Sequence, residues 1–217
     1  MPGKQLNCGG VDFLPSIHGY QLPNYSVSLD KTQLNKVKKA AFRHYFVPDF
    51  IADKILLKTL ASGVCSGISA YTLLQFTGKN FCAESAEFAI AVLQARTWGS
   101  LFLKACIKTY YSPVFKNIAK LECSLEQGNG MLLVILPKFP YLTNIVFAHT
   151  IIPYAVFQGL FSISIRVYDS NYPRDDTRVL TMNKDSYSWF YDGRSSDKWV
   201  LTVNKIENLT QKVSFLL

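Results

Sequence analysis

Three short segments, far apart in the chain, hold residue types that together perform nucleophilic chemistry. They are Gly63-Val64-Cys65-Ser66-Gly67-Ile68, Ala148-His149-Thr150 and Val167-Tyr168-Asp169-Ser170-Asn171-Tyr172-Pro173. In that order they supply a thiol, an imidazole, and a carboxylate or amide. A thiol attacks well only as thiolate, so it needs a base beside it, and the base needs a third group to orient it. Cys65 sits among small residues ahead of an apolar run with helical spacing, Ile68 to Phe76, which places its sulfur at or near a helix N-terminus. The helix dipole and the free N–H groups there lower a thiol pKa from about 8.5 toward roughly 3.5–7.5, and the same N–H groups can hold the oxyanion of acyl transfer. Gly63 and Gly67 read as permitting close approach of a substrate backbone.

His149 lies in a strand-like run with apolar neighbours on both sides, where an imidazole needs partners. Asp169 and Asn171 end the next strand, and alternation puts Val167, Asp169 and Asn171 on one face, so either polar side chain can meet His149 on the neighbouring strand. Taken singly, each residue also has an inert reading: a packed cysteine, a core histidine satisfied by a carbonyl, and the Asp, Ser, Asn and Pro of an ordinary strand end. The joint order of helix-start nucleophile, strand histidine and strand-end carboxylate is harder to explain that way. Of the other histidines, His18 lies in an irregular stretch and His44 on a helix face beside Arg43.

The elements that must position these groups change character along the chain. Residues 1–30, rich in Gly, Pro and Asn, read as an extended lead-in over the surface. Residues 31–127 read as a helical half: a helix capped by Asp30 and broken near Pro48, then Ile51 to Leu60, Ile68 to Phe76, Ser85 to Arg96 and Gly99 to Thr109. Residues 128–217 read as a sheet half: Met131 to Leu136, Val146 to Val156, Ser162 to Tyr168, Arg178 to Met182, Ser188 to Tyr191 and Trp199 to Val203. The apolar stretch Ile145 to Ile165 approaches membrane-spanning length, but Pro153, Gln158 and Gly159 make it two strands around a turn. Helices first and strands second predict an α+β fold, 1–217 forming one domain with helices packed on an antiparallel sheet.

Composition sets outer bounds. Of 217 residues, 49% are apolar, with 15 Phe and 12 Tyr, which is enough for a large core and excludes a disordered class. The net charge of +8 invites an acidic partner, yet the densest basic cluster is only Lys36-Val37-Lys38-Lys39, and no aromatic-and-basic signature accompanies it; nucleic acid is not expected as a partner. Cys8, Cys65, Cys82, Cys106 and Cys123 are odd in number and form no C-x-x-C pair, so neither a zinc site, another metal or cofactor, nor a disulfide framework is expected. Cys82, Cys106 and Cys123 read as buried thiols. With no signal-peptide run in the first residues and no membrane span, the expectation is a reducing compartment such as the cytoplasm.

On these residues the chain resembles the papain-like cysteine peptidase superfamily, in particular a microbial branch with a Gly-x-Cys-x-Gly-Met-type nucleophile motif, a histidine-bearing strand and a Tyr-Asp-Pro-Asn-x-Pro-like segment. The resemblance implies a papain-like fold, with Cys65 as nucleophile, His149 as general acid/base and Asp169 as the orienting group. Ile68 stands where methionine is common, and Ser170 where proline is common. No glutamine precedes Cys65 nearby, but His18-Gly19-Tyr20-Gln21-Leu22-Pro23-Asn24-Tyr25 resembles an upstream segment of this branch, which makes Asn24, then Gln21, the candidate oxyanion donors, with Asn171 a further supporting residue. Implied activities are hydrolysis of peptide or isopeptide bonds in a protein or peptide substrate; the same residue order also serves a transglutaminase-like acyltransferase, and the fold also occurs as a non-catalytic binding module.

Overall fold

Two spacings of apolar residues, the helical one early and the alternating one late, divide the structure as they divide the sequence. The computed structural model describes residues 3–42, 49–79, 83–97, 100–138 and 148–210. It begins with short pieces: β1 (Lys4–Gln5), β2 (Asn7–Cys8), β3 (Val11–Asp12) and the single turn α1 (Pro15–His18). Six helices follow: α2 (Lys31–Phe42), α3 (Asp49–Ala61), α4 (Cys65–Phe76), α5 (Ala86–Arg96), α6 (Ser100–Tyr110) and α7 (Val114–Glu126). Then come β4 (Met131–Pro137), β5 (His149–Gln158), β6 (Ser162–Tyr168), β7 (Val179–Asn183), β8 (Trp189–Tyr191), β9 (Arg194–Ser195) and β10 (Trp199–Lys205), with α8 (Glu207–Thr210) after them. The class is α+β, mixed helix and curled antiparallel sheet.

Caps explain where the helices start. Asp30 Oδ1 accepts the Gln33 N–H at 2.8 Å and Gln33 Oε1 accepts the Asp30 N–H at 3.1 Å, a reciprocal box that opens α2. Ser85 Oγ accepts the Phe88 N–H at 3.1 Å and opens α5. The basic cluster of α2 is partly neutralised within the chain, since Lys38 Nζ lies 3.0 Å from Asp53 and 3.3 Å from Asp49. Among the described residues no helix is long and apolar enough to cross a membrane.

The eight-stranded sheet runs β10-β4-β5-β6-β7-β8-β9, with β1 also on β5. The first residues of β5 pair with β4 (His149 opposite Ile135) and its far end pairs with β1 (Ala155 opposite Gln5). The other edge pairs with β6 from Ile152 to Gln158, with a bulge between Pro153 and Ala155. Proline removes a ladder donor and is tolerated in a central strand only at such an irregularity. The carbonyl of the bulged Tyr154 accepts the Leu6 N–H at 2.7 Å.

Three sequence expectations change here. The lead-in is not merely superficial: Leu6 and Phe13 are fully buried, and Phe13 meets Phe76 edge to face at 5.0 Å. His18 belongs to this packing, its Nδ1 accepting the Leu14 N–H and its ring set against Phe76. Of the thiols read as buried, Cys106 is, but Cys123 is exposed, on a helix (α7) that apolar spacing alone did not delimit; Cys82 and His44 lie outside the described residues.

α4, like α6 and α7, joins the halves; it packs on α5 and on β5. Its contact with α5 requires Gly67: a Cβ there would stand 2.2 Å from the Ile90 carbonyl oxygen. Gly67 therefore serves helix packing and not, as its position beside Cys65 suggested, approach of a substrate. Gly67→Ala is expected to destabilise the fold by about 1–3 kcal/mol through overpacking, read as a lower denaturant midpoint; an unchanged midpoint would contradict this contact.

Candidate active site

Cys65 is the first residue of α4, reached through Gly63, whose φ of +101° is strained for any side-chain-bearing residue. Asn24 Oδ1 lies against this turn and accepts the Val64 N–H at 2.8 Å, and the Tyr25 carbonyl lies 3.2 Å from the same N–H. A Cβ on Gly63 would stand 2.7 Å from Asn24 Nδ2, so Gly63 makes room for that amide. Further along the first turn, the Gly67 N–H donates to the buried Gln94 Oε1 at 2.9 Å. Between them, the Cys65 and Ser66 N–H groups have no acceptor among the described residues, as expected for the first turn of a helix.

His149 opens β5 and Asp169 follows the last residue of β6, so the hairpin itself brings them together. His149 Nε2 and Asp169 Oδ1 are 2.8 Å apart. With Nε2 engaged there, Nδ1 is the ring nitrogen left for the thiol, and Cys65 and His149 lie close enough for each to shift the titration of the other. The Ser66 and Thr150 hydroxyls meet at 2.5 Å, and Ser69 Oγ donates to the Thr150 carbonyl at 3.1 Å, which pins the start of α4 to the start of β5.

The carboxylate of Asp169, 0% exposed, is fully engaged. Oδ1 also accepts the Asn171 N–H at 2.8 Å, and Oδ2 accepts the Tyr191 hydroxyl at 2.5 Å. Burial would raise its pKa, but His149, Tyr191 and Asn171 together hold it below the usual carboxylate range. Burial likewise disfavours a charged His149, yet Asp169 and Cys65 push the ring up to about 10. For Cys65 burial also opposes the charge, and the His149 bond and charge, the Thr150 N–H and the Ser66 hydroxyl outweigh it, so the thiol sits below its ordinary value. A thiol held down and an imidazole held up describe a thiolate–imidazolium pair. Cys65 retains 7% and His149 3% of their surface exposed.

The structure thus gathers Cys65, His149 and Asp169, and places Asn24 at the helix start beside them. Gln21 lies elsewhere in its bonding, with Nε2 donating to the Gly19 carbonyl and Oε1 accepting from Arg174 at 2.9 Å. Asn171 contributes its backbone N–H, while the residue itself is exposed beyond the strand end, off the face that alternation assigned to it. Sequence reading missed Tyr191, Gln94 and the Ser66–Thr150 bridge. Gln94 carried a signal, a lone polar residue in the apolar run Ala89 to Ala95; Tyr191 carried only the alternation Trp189-Phe190-Tyr191, which says nothing of what its face meets.

Among the described residues no group of three or more His, Cys, Asp or Glu is placed to hold a metal ion, and Cys8, Cys65, Cys106 and Cys123 are free thiols. Comparison with protein-family models, with curated proteins and with solved structures finds no match to this chain.

The pair has a pH signature. The thiolate persists above the lowered pKa of Cys65, and the ring keeps its proton until about pH 10. Alkylation of Cys65 by iodoacetamide should therefore outpace that of exposed Cys123 at pH 6 and fall as pH drops through the lowered thiol pKa. In His149→Ala burial is left opposed by less, the thiol pKa rises, and the Cys65 rate at pH 6 drops at least about tenfold, one decade per pKa unit. Peptide mass spectrometry of the two thiols reads both outcomes.

Proposed function

We propose that this chain is a papain-like cysteine hydrolase that cleaves peptide or isopeptide bonds through Cys65, His149 and Asp169. The observation that carries the reading is the placement of His149 between a thiol at a helix start and a buried carboxylate, with Nε2 held 2.8 Å from Asp169 Oδ1. The thiolate attacks the carbonyl carbon, and the electron pair of the C=O moves onto oxygen. The Cys65 N–H and Asn24 Nδ2 are the donors for that oxyanion, because Asn24 Oδ1 is already fixed by Val64. The oxyanion collapses, the C–N bond breaks, and the leaving nitrogen takes the Nδ1 proton of His149, leaving a thioester on Cys65. Neutral His149 then takes a proton from water as it attacks the thioester, and keeps that proton while the tetrahedral intermediate collapses and expels the Cys65 thiolate, which restores the ion pair. The net charge of +8 favours an acidic peptide or protein as substrate.

The acyltransferase reading differs only in replacing water by an amine at the second step. The slight exposure of Cys65 and His149 is the observation that favours it, since restricted water access slows hydrolysis of a thioester relative to capture by a bound amine. The same low exposure is where a non-catalytic module of this fold would rest its case.

A proteome-derived peptide library incubated with the wild type should yield products whose formation stops in Cys65→Ala; cleavage undiminished in that variant would end the proposal. Asn24→Ala is expected to lower kcat by about 10²–10³ with little change in KM, the loss seen when one oxyanion donor is removed. Adding primary amines and weighing the products separates hydrolysis from acyl transfer.

A further inference from the structure

The carboxylate of Asp169 has two oxygens and only one of them serves His149. Oδ1 lies 2.8 Å from His149 Nε2 and accepts the Asn171 N–H, and Oδ2 accepts the Tyr191 hydroxyl at 2.5 Å. Asp169 follows the last residue of β6, where the backbone ladder no longer dictates its geometry, so the direction of Oδ1 is set by the Asn171 N–H on that oxygen together with what holds Oδ2. Tyr191 comes from β8, three strands along the sheet from β5, and is itself buried at 1% exposure. The Arg178 guanidinium carbon stands 5.4 Å from the centroid of its ring and 3.9 Å from that of Tyr172, and Arg178 Nη2 donates to Asp192 Oδ1 at 2.7 Å. Arg194 Nη1 donates to the other oxygen of Asp192. The chain of contacts therefore runs from the half-buried pair Arg178–Asp192 through Tyr191 and Asp169 to the imidazole.

We propose that Tyr191, held in place by Arg178, is a positioning residue for the Cys65–His149 pair: by fixing Oδ2 it keeps Oδ1 of Asp169 aimed at His149. This rests on the cysteine-hydrolase reading of the site and extends it to a residue that touches neither substrate nor thiol. The charged and titratable groups facing Asp169 and Tyr191 are His149 from β5, Tyr168 from β6, Arg178 beside β7, and Asp192 next to Tyr191.

A tyrosine that merely satisfies a buried carboxylate predicts a loss of stability and nothing more. A positioning residue predicts a change in the thiol, so the test reads iodoacetamide alkylation of Cys65 against pH, with thermal unfolding alongside. In Tyr191→Phe, which keeps the ring, the imidazolium loses its aligned partner, the acid limb of the Cys65 profile moves to higher pH, and the rate at pH 6 falls about tenfold. In an Asp169→Ala background the same substitution changes the rate less than about twofold, because Tyr191 acts only through Asp169. Should Tyr191→Phe fail to fold, Arg178→Lys decides: it keeps a cation but loses the planar group over both rings, and the acid limb should move the same way by a smaller amount. A Tyr191→Phe profile that superimposes on the wild type, an undiminished effect in Asp169→Ala, or, in the fallback, an unmoved Arg178→Lys profile each overturns the positioning role. Failure of the underlying reading looks different: wild-type Cys65 would then react no faster near pH 6 than Cys123 and would ignore His149→Ala, and the positioning role would fall with it.

Discussion

A carboxylate without access to water must be neutralised or surrounded by donors, and Asp169 is surrounded. Its three donors come from a turn backbone, an imidazole and a phenol, each delivered by a different stretch of the sheet half. Because the carboxylate stays charged, the buried ring of His149 can carry a proton, and because the ring carries a proton the thiol of Cys65 can give its own up. Each charge would be prohibitive alone in that setting. Together they form a relay of alternating sign in which removal of any member leaves its neighbour in the wrong state.

Geometry at the other end of the relay is set by packing. The start of α4 is held from four sides: by Asn24 on the Val64 N–H, by Gln94 on the Gly67 N–H, by Thr150 on the Ser66 hydroxyl, and by the α5 backbone pressed against Gly67. Those bonds consume the donors on either side of Cys65 and leave the Cys65 and Ser66 N–H groups without an acceptor among the described residues. The start of the helix is thus fixed by polar side chains, while its buried apolar residues Ile68, Ala70, Leu73 and Leu74 anchor the rest in the core.

Much of this was legible from residue types. Asp30, Ser85 and the strand run Ser162 to Tyr168 appear where caps and alternation put them, because local hydrogen bonding and side-chain period suffice there. The spatial meeting of Cys65, His149 and Asp169 was expected from their order and local settings. What escaped depended on contacts distant in sequence. Leu6 and Phe13 look like loop residues until β5 offers an open edge, Tyr191 is one aromatic among many until Asp169 faces it, and Gly67 reads as room for a ligand until α5 fills it. Asn171 shows the reverse error: alternation was carried two residues past the point where the strand had already turned.

The chain positions of these groups bear on how the protein comes into being. His149 and Asp169 are 20 residues apart on one hairpin, whereas the bridge from the Cys65 helix to β5, Ser66 to Thr150, spans 84. Short loops close sooner and at lower entropic cost than long ones. The imidazole–carboxylate partnership therefore belongs to an early, local folding event, and the sulfur meets it only in the late docking of the two halves. Until that docking the Cys65 thiol lacks the ring that lowers its pKa, so the shift away from an ordinary thiol comes only with completion of the fold itself.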